Sequence, residues 1–288
     1  MPFPAASVGL HLRPVESDIS TRKILAYAAG LGASDDAFLD DAQAGGVRAL
    51  PFQCVSPEWP VLLSMRHILG DTLVAVEARR GVHAIQDSSF HRPMRPGDRL
   101  VTKGQLVSAT MIRAGVLTVC RLDTCDRETQ EPVTTTWTSS IYRGVDLAGE
   151  PMIMAAPPAL IDAEIQPLGP DAEAQTVFIP KEMPHVYSEC ADIWNPIHSE
   201  REVALAAGLP DVILHGTATW ALAGLAVLRR YGRSDVAALK RMTGRFAGMV
   251  IPGENITIRH QQDPSGVVRF EVRTSSGALA ISHGVAWF

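Results

Sequence analysis

Hydrophobic and polar positions along the chain predict the same order of elements twice. Apolar residues cover nearly all faces of residues 216–231, which predicts a buried helix. The corresponding segment of the first half, residues 56–69, is shorter and more polar. In each half the helix is followed by runs rich in β-branched and aromatic residues, which favour strands. The pattern therefore predicts an internal repeat in which each copy has one helix and several strands.

A turn containing proline and glycine precedes the predicted strands in each half. The first turn is Arg95 to Leu100 and the second is Ile251 to Ile256. Proline fixes φ and glycine permits a positive φ, so a Pro-Gly-acid sequence is a natural turn into a strand. The predicted strands are residues 100–107, 115–121 and 133–142 in the first half and 256–260, 266–272 and 278–288 in the second.

A helix that is apolar all round needs cover on most sides, and a curved antiparallel sheet wrapped around it supplies that cover. This arrangement is the hotdog fold, so we predict an α+β protein of two fused hotdog units. Residues 149–174 are rich in proline, alanine and acidic residues, which indicates a linker. We therefore expect an N-terminal unit over residues 1–148 and a C-terminal unit over residues 175–288.

Composition narrows the function classes. The net charge is −5 and no basic face is visible, which argues against a nucleic-acid partner. The most apolar run, residues 218–228, is shorter than the ~20 residues that span a bilayer, and residues 1–10 do not resemble a secretory signal. Cys120 and Cys125 lack a second close cysteine pair, which argues against zinc. We expect a cytoplasmic protein with reduced thiols.

One segment of the second half, Tyr187 to Glu200, concentrates side chains that can do chemistry. Asp192, Asn195 and His198 fall within seven residues. Pro196 disfavours helix at Asn195, and such a break can direct all three side chains into one pocket. The alternatives are a histidine that packs or caps, a solvent-exposed acid at 192, and an asparagine that caps the following helix.

The run Asn195-Pro196-Ile197-His198, followed by Ile213-Leu214-His215-Gly216 at the family spacing, resembles the MaoC-like, type 2 enoyl-CoA hydratases. The two Pro-Gly turns agree, so the resemblance covers most of the chain. It implies two fused hotdogs that add water to a trans-2-enoyl-CoA, or dehydrate an (R)-3-hydroxyacyl-CoA, without a metal or organic cofactor. It also implies that the second half is catalytic and that the first is a degenerate copy sheltering the acyl chain. A homodimer is possible for this fold class.

The chemistry of hydration assigns roles to these residues. The reaction needs a base for water, an acid for Cα, and a group that holds the charge on the thioester oxygen. His198 suits the first two roles, and the backbone N–H of Gly216 at the helix start suits the third. Asp192 would orient the water. In the family, however, the acid stands two residues before the asparagine, where this chain has Ile193. His198 acting alone or with another helper is therefore the alternative.

Four further residues are candidate substrate contacts. Asn195 could hold His198 or the substrate, and His215 either contributes to the site or only bonds backbone. Arg241 and Arg245 are suited to the phosphates of CoA, with a solvated surface as the equal alternative. An acyl carrier protein could replace CoA as the carrier. One rival function is a hotdog thioesterase. The other is a non-catalytic protein that binds acyl thioesters, and the displaced acid at 192 favours this second alternative.

Overall fold

A computed structural model describes residues 2–68, 81–160 and 166–288. Its chain divides into two compact units that alternate along the sequence. The N-terminal unit consists of Met1–Ser17, Pro57–His91 and Arg99–Leu160. The C-terminal unit consists of Asp18–Ser56, Arg92–Asp98 and Ile161–Phe288.

Helices and strands follow in chain order. The helices are α1 Thr21–Gly30, α2 Asp36–Leu39, α3 Val55–Ile68, α4 Met183–Cys190, α5 Arg201–Ala206 and α6 Gly216–Tyr231. The strands of the first part of the chain are β1 Phe3–Pro4, β2 Val15–Asp18, β3 Gly81–Phe90, β4 Arg99–Ile112, β5 Gly115–Asp126, β6 Pro132–Arg143, β7 Leu147–Ala148 and β8 Met152–Ile153. Those of the second part are β9 Glu173–Phe178, β10 Arg241–Phe246, β11 Asn255–Gln262, β12 Val268–Thr274 and β13 Leu279–Trp287.

The N-terminal unit is a long-stranded sheet with α3 against it. Its strand order is β2-β4-β5-β6-β3, and β8 pairs antiparallel with β4. Val61 and Met65 of α3 join a buried cluster that includes Leu106 and Leu122 of the sheet. This core contributes to the stability of α3, because Val61 and Met65 bury apolar surface against the sheet.

A polar cluster is also buried in the N-terminal unit. The side chain of Glu58 on α3 is 2% exposed, and the hydroxyl of Thr136 on β6 donates to its carboxylate at 2.5 Å. Ser88 lies 2.8 Å from the same hydroxyl, and Gln86 donates to both Ser88 and Glu58. Buried polar groups of this kind are stabilised by bonding one another. The core of the N-terminal unit, for which we predict a role in sheltering the acyl chain, therefore contains polar as well as apolar side chains.

The C-terminal unit contains five antiparallel strands that pack against α6. Its strand order is β10-β13-β12-β11-β9. Helix α6 contacts β10, β11, β12 and β13, and its residues from Ala218 to Leu228 are all buried. The predicted helix over 216–231 is confirmed at both ends, and the predicted α+β class with a double set of helix and sheet is confirmed as well.

The other side of α6 is covered by residues that come early in the chain. The ring of Phe52 meets Trp220 edge to face, with centroids 5.5 Å apart. Asp35 accepts a hydrogen bond from Arg229 near the end of α6 at 2.9 Å. Residues 18–56 therefore belong with the C-terminal unit, whereas the sequence analysis placed them in the first half. The physical reason is that a helix apolar on all sides needs cover opposite the sheet as well.

The strands are more numerous than predicted. Strands β3, β9 and β10 and helices α1 and α4 are additional to the predicted elements, and β4 extends to Ile112 rather than ending at residue 107. Among the helices that the structure describes, none is long and apolar enough to cross a membrane.

Candidate active site

The segment from Tyr187 to Glu200 breaks regular structure as predicted. Helix α4 ends at Cys190, and Asn195 is extended with φ −144° and ψ 120°. Pro196 then opens a short 3-10 helix, Pro196–His198, which Asn195 precedes as the capping residue. Proline imposes the extended conformation on the residue before it, and this turns the chain so that His198 faces the body of the unit.

His198 is held in one tautomer by a backbone carbonyl. Its Nδ1 lies 2.8 Å from the carbonyl oxygen of Ile213, and a carbonyl can only accept, so Nδ1 carries the proton. The lone pair of the ring is therefore on Nε2. Burial lowers the pKa of His198 from 6.5 to about 4, and the bond to Ile213 offsets only part of this effect. At neutral pH the ring is consequently an uncharged base.

His215 stacks on His198. The two ring centroids are 3.7 Å apart and the planes are inclined by 24°. His215 is 2% exposed, and its Nε2 lies 3.2 Å from the hydroxyl of Ser188, which itself donates to the carbonyl of Pro184 at 2.9 Å. Burial, followed by repulsion from a charge on His198, lowers the pKa of His215 to about 2. Both rings are therefore neutral across the usual range of working pH.

Gly216 opens α6 directly after His215. Within the described residues, the N–H groups of Gly216 and Thr217 have no hydrogen-bond acceptor, whereas those of Ala218 and Thr219 reach the carbonyl of His215. A helix start of this kind carries partial positive charge and can bind an anion. A Cβ added at Gly216 would lie 3.0 Å from Cδ1 of Phe246, so the ring packs closely against this glycine.

Asp192 does not share the pocket with His198, contrary to the sequence expectation. Its carboxylate lies 3.2 Å from the ammonium of Lys23, and 58% of its side chain is exposed. The backbone at Asp192 is left-handed, with φ +54°, and the next residue, Ile193, is 5% exposed. The reason is a competition for burial: Ile193 takes the inward position, which directs the acid to solvent. Within the described residues no carboxylate is hydrogen-bonded to His198.

The remaining predicted contacts lie at different positions in the C-terminal unit. Asn195 is half-buried, and its backbone carbonyl accepts from the N–H of His198 at 3.0 Å. Arg245 is exposed on β10, next to the Phe246 ring that packs on Gly216. The guanidinium of Arg241 lies 4.4 Å from the centre of the Trp287 ring, so a stacking contact already engages it.

Sequence reasoning missed the parts that hold the histidines. The carbonyl of Ile213 leaves no side-chain signal, because any residue has one. Ser188 lies within the predicted segment but shows no spacing that marks it as a partner of His215. Tyr27 comes from a distant part of the chain, and its hydroxyl lies 3.4 Å from that of Tyr187. Burial raises the pKa of Tyr187 to about 12, so it remains protonated.

A cavity of about 550 Å³ lies elsewhere in the C-terminal unit. Its walls include Leu222 and Leu225 of α6, Met183 and Val186 of α4, and Phe178 of β9. None of the predicted catalytic residues lines it. This cavity is therefore separate from the predicted catalytic residues at the start of α6.

Two family models match the chain in separate ranges. The MaoC like domain matches residues 176–280. The FAS1-like, dehydratase domain region matches residues 6–136. The first range contains the whole segment with His198, His215 and Gly216.

Curated relatives carry related names. Enoyl-CoA hydratase ChsH3 from Mycobacterium tuberculosis is 33% identical over 116 residues, which is 40% of each chain. The 3-hydroxyacyl-thioester dehydratase Y from the same organism is 27% identical over 285 residues, covering 95% of this chain and 93% of the relative.

Solved structures share the fold over nearly the whole length. A MaoC-like dehydratase from Phytophthora capsici has a TM-score of 0.85 at 23% identity, covering 99% of this chain and 97% of that one. A conserved hypothetical protein from Mycobacterium tuberculosis described as a double hotdog fold has a TM-score of 0.61 at 15% identity, covering 98% and 95%. Together these matches show a MaoC like domain over residues 176–280, a FAS1-like dehydratase region over residues 6–136, and a double hotdog fold over nearly the whole chain.

Proposed function

We propose that this chain is a hydro-lyase that adds water to a trans-2-enoyl thioester, or removes water from the 3-hydroxyacyl thioester, with CoA as the carrier. The relatives named enoyl-CoA hydratase and 3-hydroxyacyl-thioester dehydratase support the reaction class. The observation that carries the proposal is the orientation of His198. Its Nδ1 is committed to Ile213, which leaves Nε2 as a neutral base close to the open amides of a helix start.

In the proposed reaction His198 acts as both base and acid. Nε2 takes a proton from water while the water oxygen bonds to C3 of the substrate. The electron pair of the C2–C3 double bond moves toward the thioester carbonyl, and the enolate oxygen accepts hydrogen bonds from the amides of Gly216 and Thr217. The imidazolium then gives its proton to C2. One such amide donor contributes about 3 kcal/mol to stabilising the transition state.

A single imidazole can complete this cycle because the proton it removes is the proton it returns. Asp192 is not required, which agrees with its exposed position beside Lys23. Asn195 is proposed to contact the substrate beside His198, and Arg245 is proposed to bind a CoA phosphate at the surface. Arg241 is the weaker candidate, because it is stacked on Trp287. The (R) configuration at C3 follows from the family resemblance.

The decisive experiment replaces His198 by alanine. We expect the rate of hydration of crotonyl-CoA and longer enoyl-CoAs to fall at least ~100-fold. The rate is measured as the loss of absorbance of the conjugated thioester. His11→Ala is the matched control, since His11 is an exposed histidine of the N-terminal unit. Unchanged turnover in the His198 variant refutes the assigned role.

A second candidate function is a non-catalytic protein that binds acyl thioesters. The outward position of Asp192 favours it, because family members carry an acid at the site. A wild-type protein that binds enoyl-CoA but turns over none of a panel of chain lengths would establish this alternative. A thiol reagent in the same assay detects free CoA, whose release would identify a thioesterase instead.

A further inference from the structure

We propose that His215 is a positioning residue: its ring lies against the ring of His198 and holds it in the orientation that presents Nε2 to the substrate. The proposal rests on the proposed hydratase reaction for its catalytic consequence. Its structural part stands on the stacked pair alone.

One hydrogen bond does not fix the plane of an imidazole. The bond from Nδ1 to the carbonyl of Ile213 locates one atom of the His198 ring, but without a neighbouring ring the imidazole can pivot until that bond, which selects the tautomer, is lost. A second ring 3.7 Å away, inclined by only 24°, blocks the pivot on one face. A misplacement of about 1 Å of a reacting group can lower a rate 100-fold, so the stack has a kinetic consequence.

His215 is itself held rigidly. Its Nε2 bonds to Ser188, which is tied to Pro184 within α4, and the centroid of the Tyr187 ring lies 5.0 Å from that of His215. Helix α4 thereby holds the ring of His215 in place, and this ring in turn holds the ring of His198. Since His215 also remains uncharged, its ring presents the same flat, neutral face to His198 at every working pH.

The same short segment also places the other parts of the site. Ile213 supplies the acceptor for Nδ1, His215 supplies the ring, and Gly216 supplies the amide for the enolate oxygen. The N–H of Leu214 donates to the carbonyl of Val250 at 2.9 Å, which anchors the segment to the loop after β10. The spacing between base and oxyanion donors is therefore set within four consecutive residues.

Two substitutions separate the ring from its polar edge. His215→Phe keeps an aromatic face for stacking but cannot bond Ser188, whereas His215→Asn keeps a polar group but has no ring. We expect the phenylalanine variant to retain kcat within about 5-fold, and the asparagine variant to lose kcat about 10- to 100-fold with little change in KM. Ser188→Ala should lose kcat by about 3- to 10-fold, because the ring is then less firmly held.

A second measurement does not depend on turnover. Nitrogen-15 spectra of the histidine rings report the tautomer of His198 in the folded protein. We expect a single Nδ1–H tautomer in the wild type and in His215→Phe, and a mixture of tautomers in His215→Asn. Thermal unfolding of each variant verifies that it is folded, and Ser188→Ala provides the same comparison if His215→Asn is not.

The outcomes separate this inference from the proposed function. An asparagine variant with wild-type kcat and a single tautomer overturns the positioning role. A phenylalanine variant as slow as the asparagine variant also overturns it, because the polar atoms of His215 would then matter rather than its face. A wild type that hydrates no enoyl-CoA, but shows the expected tautomers, refutes the hydratase proposal and leaves the positioning of His198 in place.

Discussion

The carbonyl of Ile213 accepts a hydrogen bond from the Nδ1–H group of the neutral His198 ring. Burial lowers the pKa of the ring, so Nε2 does not take up a second proton near neutral pH. At the residue scale this arrangement fixes which nitrogen carries the lone pair and over which pH range that nitrogen stays unprotonated. A histidine with an ordinary pKa near 6.5 would lose its basic form in mild acid. His198 retains it because protonation would place a charge where water is largely excluded.

The pH dependence of kcat/KM follows from this burial. We expect kcat/KM for an enoyl-CoA to be level from about pH 8 to about pH 5.5 and then to fall with a midpoint near about 4, where His198 takes up its proton. Initial rates measured in short assays over this range provide the test. A midpoint near 6.5 would show that the free enzyme's base is a solvated histidine instead.

Asp192 provides the contrasting prediction. We expect Asp192→Asn to change kcat by less than about 3-fold, because its carboxylate is exposed and paired with Lys23. Exposed ion pairs of this type contribute only about 0–1 kcal/mol to stability, so the melting temperature should also change little. Lys23→Met is the matched variant that removes the other partner. A 100-fold loss in Asp192→Asn, without one in Lys23→Met, would return the acid to the catalytic site.

The difference between His198 and Asp192 shows what sequence can predict at this scale. The Asn-Pro-x-His run and the His-Gly pair predict His198 and Gly216 as site residues, because side-chain type and spacing are readable from sequence, and their catalytic roles stay predictions. The direction of Asp192 depends on which of two neighbours is buried, and Ile193 takes the inward position in the folded loop. The carbonyl of Ile213 could not be predicted, since every residue has one.

At the element scale, α6 organises the C-terminal unit. Its apolar residues predicted both its bounds and its burial, because no other element among the described residues has apolar side chains on all faces over four turns. Helices α1 and α4 are short and less regular in pattern, so they were not predicted. Their partners, such as Tyr27 for Tyr187, are distant in sequence and leave no local signal.

Gly224 tests how tightly α6 is packed. A Cβ at this position would lie 2.2 Å from Cε1 of Phe52, closer than carbon atoms approach. Alanine is ordinarily a better helix former than glycine, yet we expect Gly224→Ala to destabilise the protein by about 1–3 kcal/mol through overpacking. Urea unfolding gives the free energy.

A double-mutant cycle provides the control for this clash. Phe52→Leu shortens the side chain opposite Gly224, so the alanine should cost less in that background than in the wild type. Equal costs in the two backgrounds would place the strain elsewhere. A stabilised Gly224→Ala protein would contradict the packing of Phe52 on α6.

At the scale of the whole molecule, buried histidines link stability to pH. Burial lowers the pKa of His198 and of His83 to about 4 and that of His215 to about 2. The unfolded chain therefore binds more protons than the folded chain below about pH 6.5. The stability contribution of these groups is fully present above 6.5 and is lost as pH falls toward 4.

We expect the free energy of unfolding in urea to decrease between about pH 6.5 and about pH 4.5. Carboxylates with a lowered pKa, such as Asp35 and Glu271, add to the loss only in stronger acid. His198→Gln is the informative variant, since glutamine does not titrate and the decrease should become shallower. A free energy that is constant over this interval would contradict the burial of the three rings.

The sequence predicts that the molecule consists of two repeated units. It does not predict which segments of the chain make up each unit. The repeat of helix, turn and strands indicates two hotdogs because each copy carries its own hydrophobic pattern. The membership of residues 18–56 in the C-terminal unit was not predictable, because the pattern shows that a face needs cover but not which segment supplies it.

The contact between Phe52 and Trp220 also sets an order of events during synthesis. The two rings are separated by most of the chain, so at usual translation rates Phe52 leaves the ribosome on the order of 10–30 s before its partner exists. Throughout that delay the early segment lacks the helix that covers it in the folded protein. Packing of the C-terminal unit is therefore completed late in synthesis, although residues 18–56 emerge early.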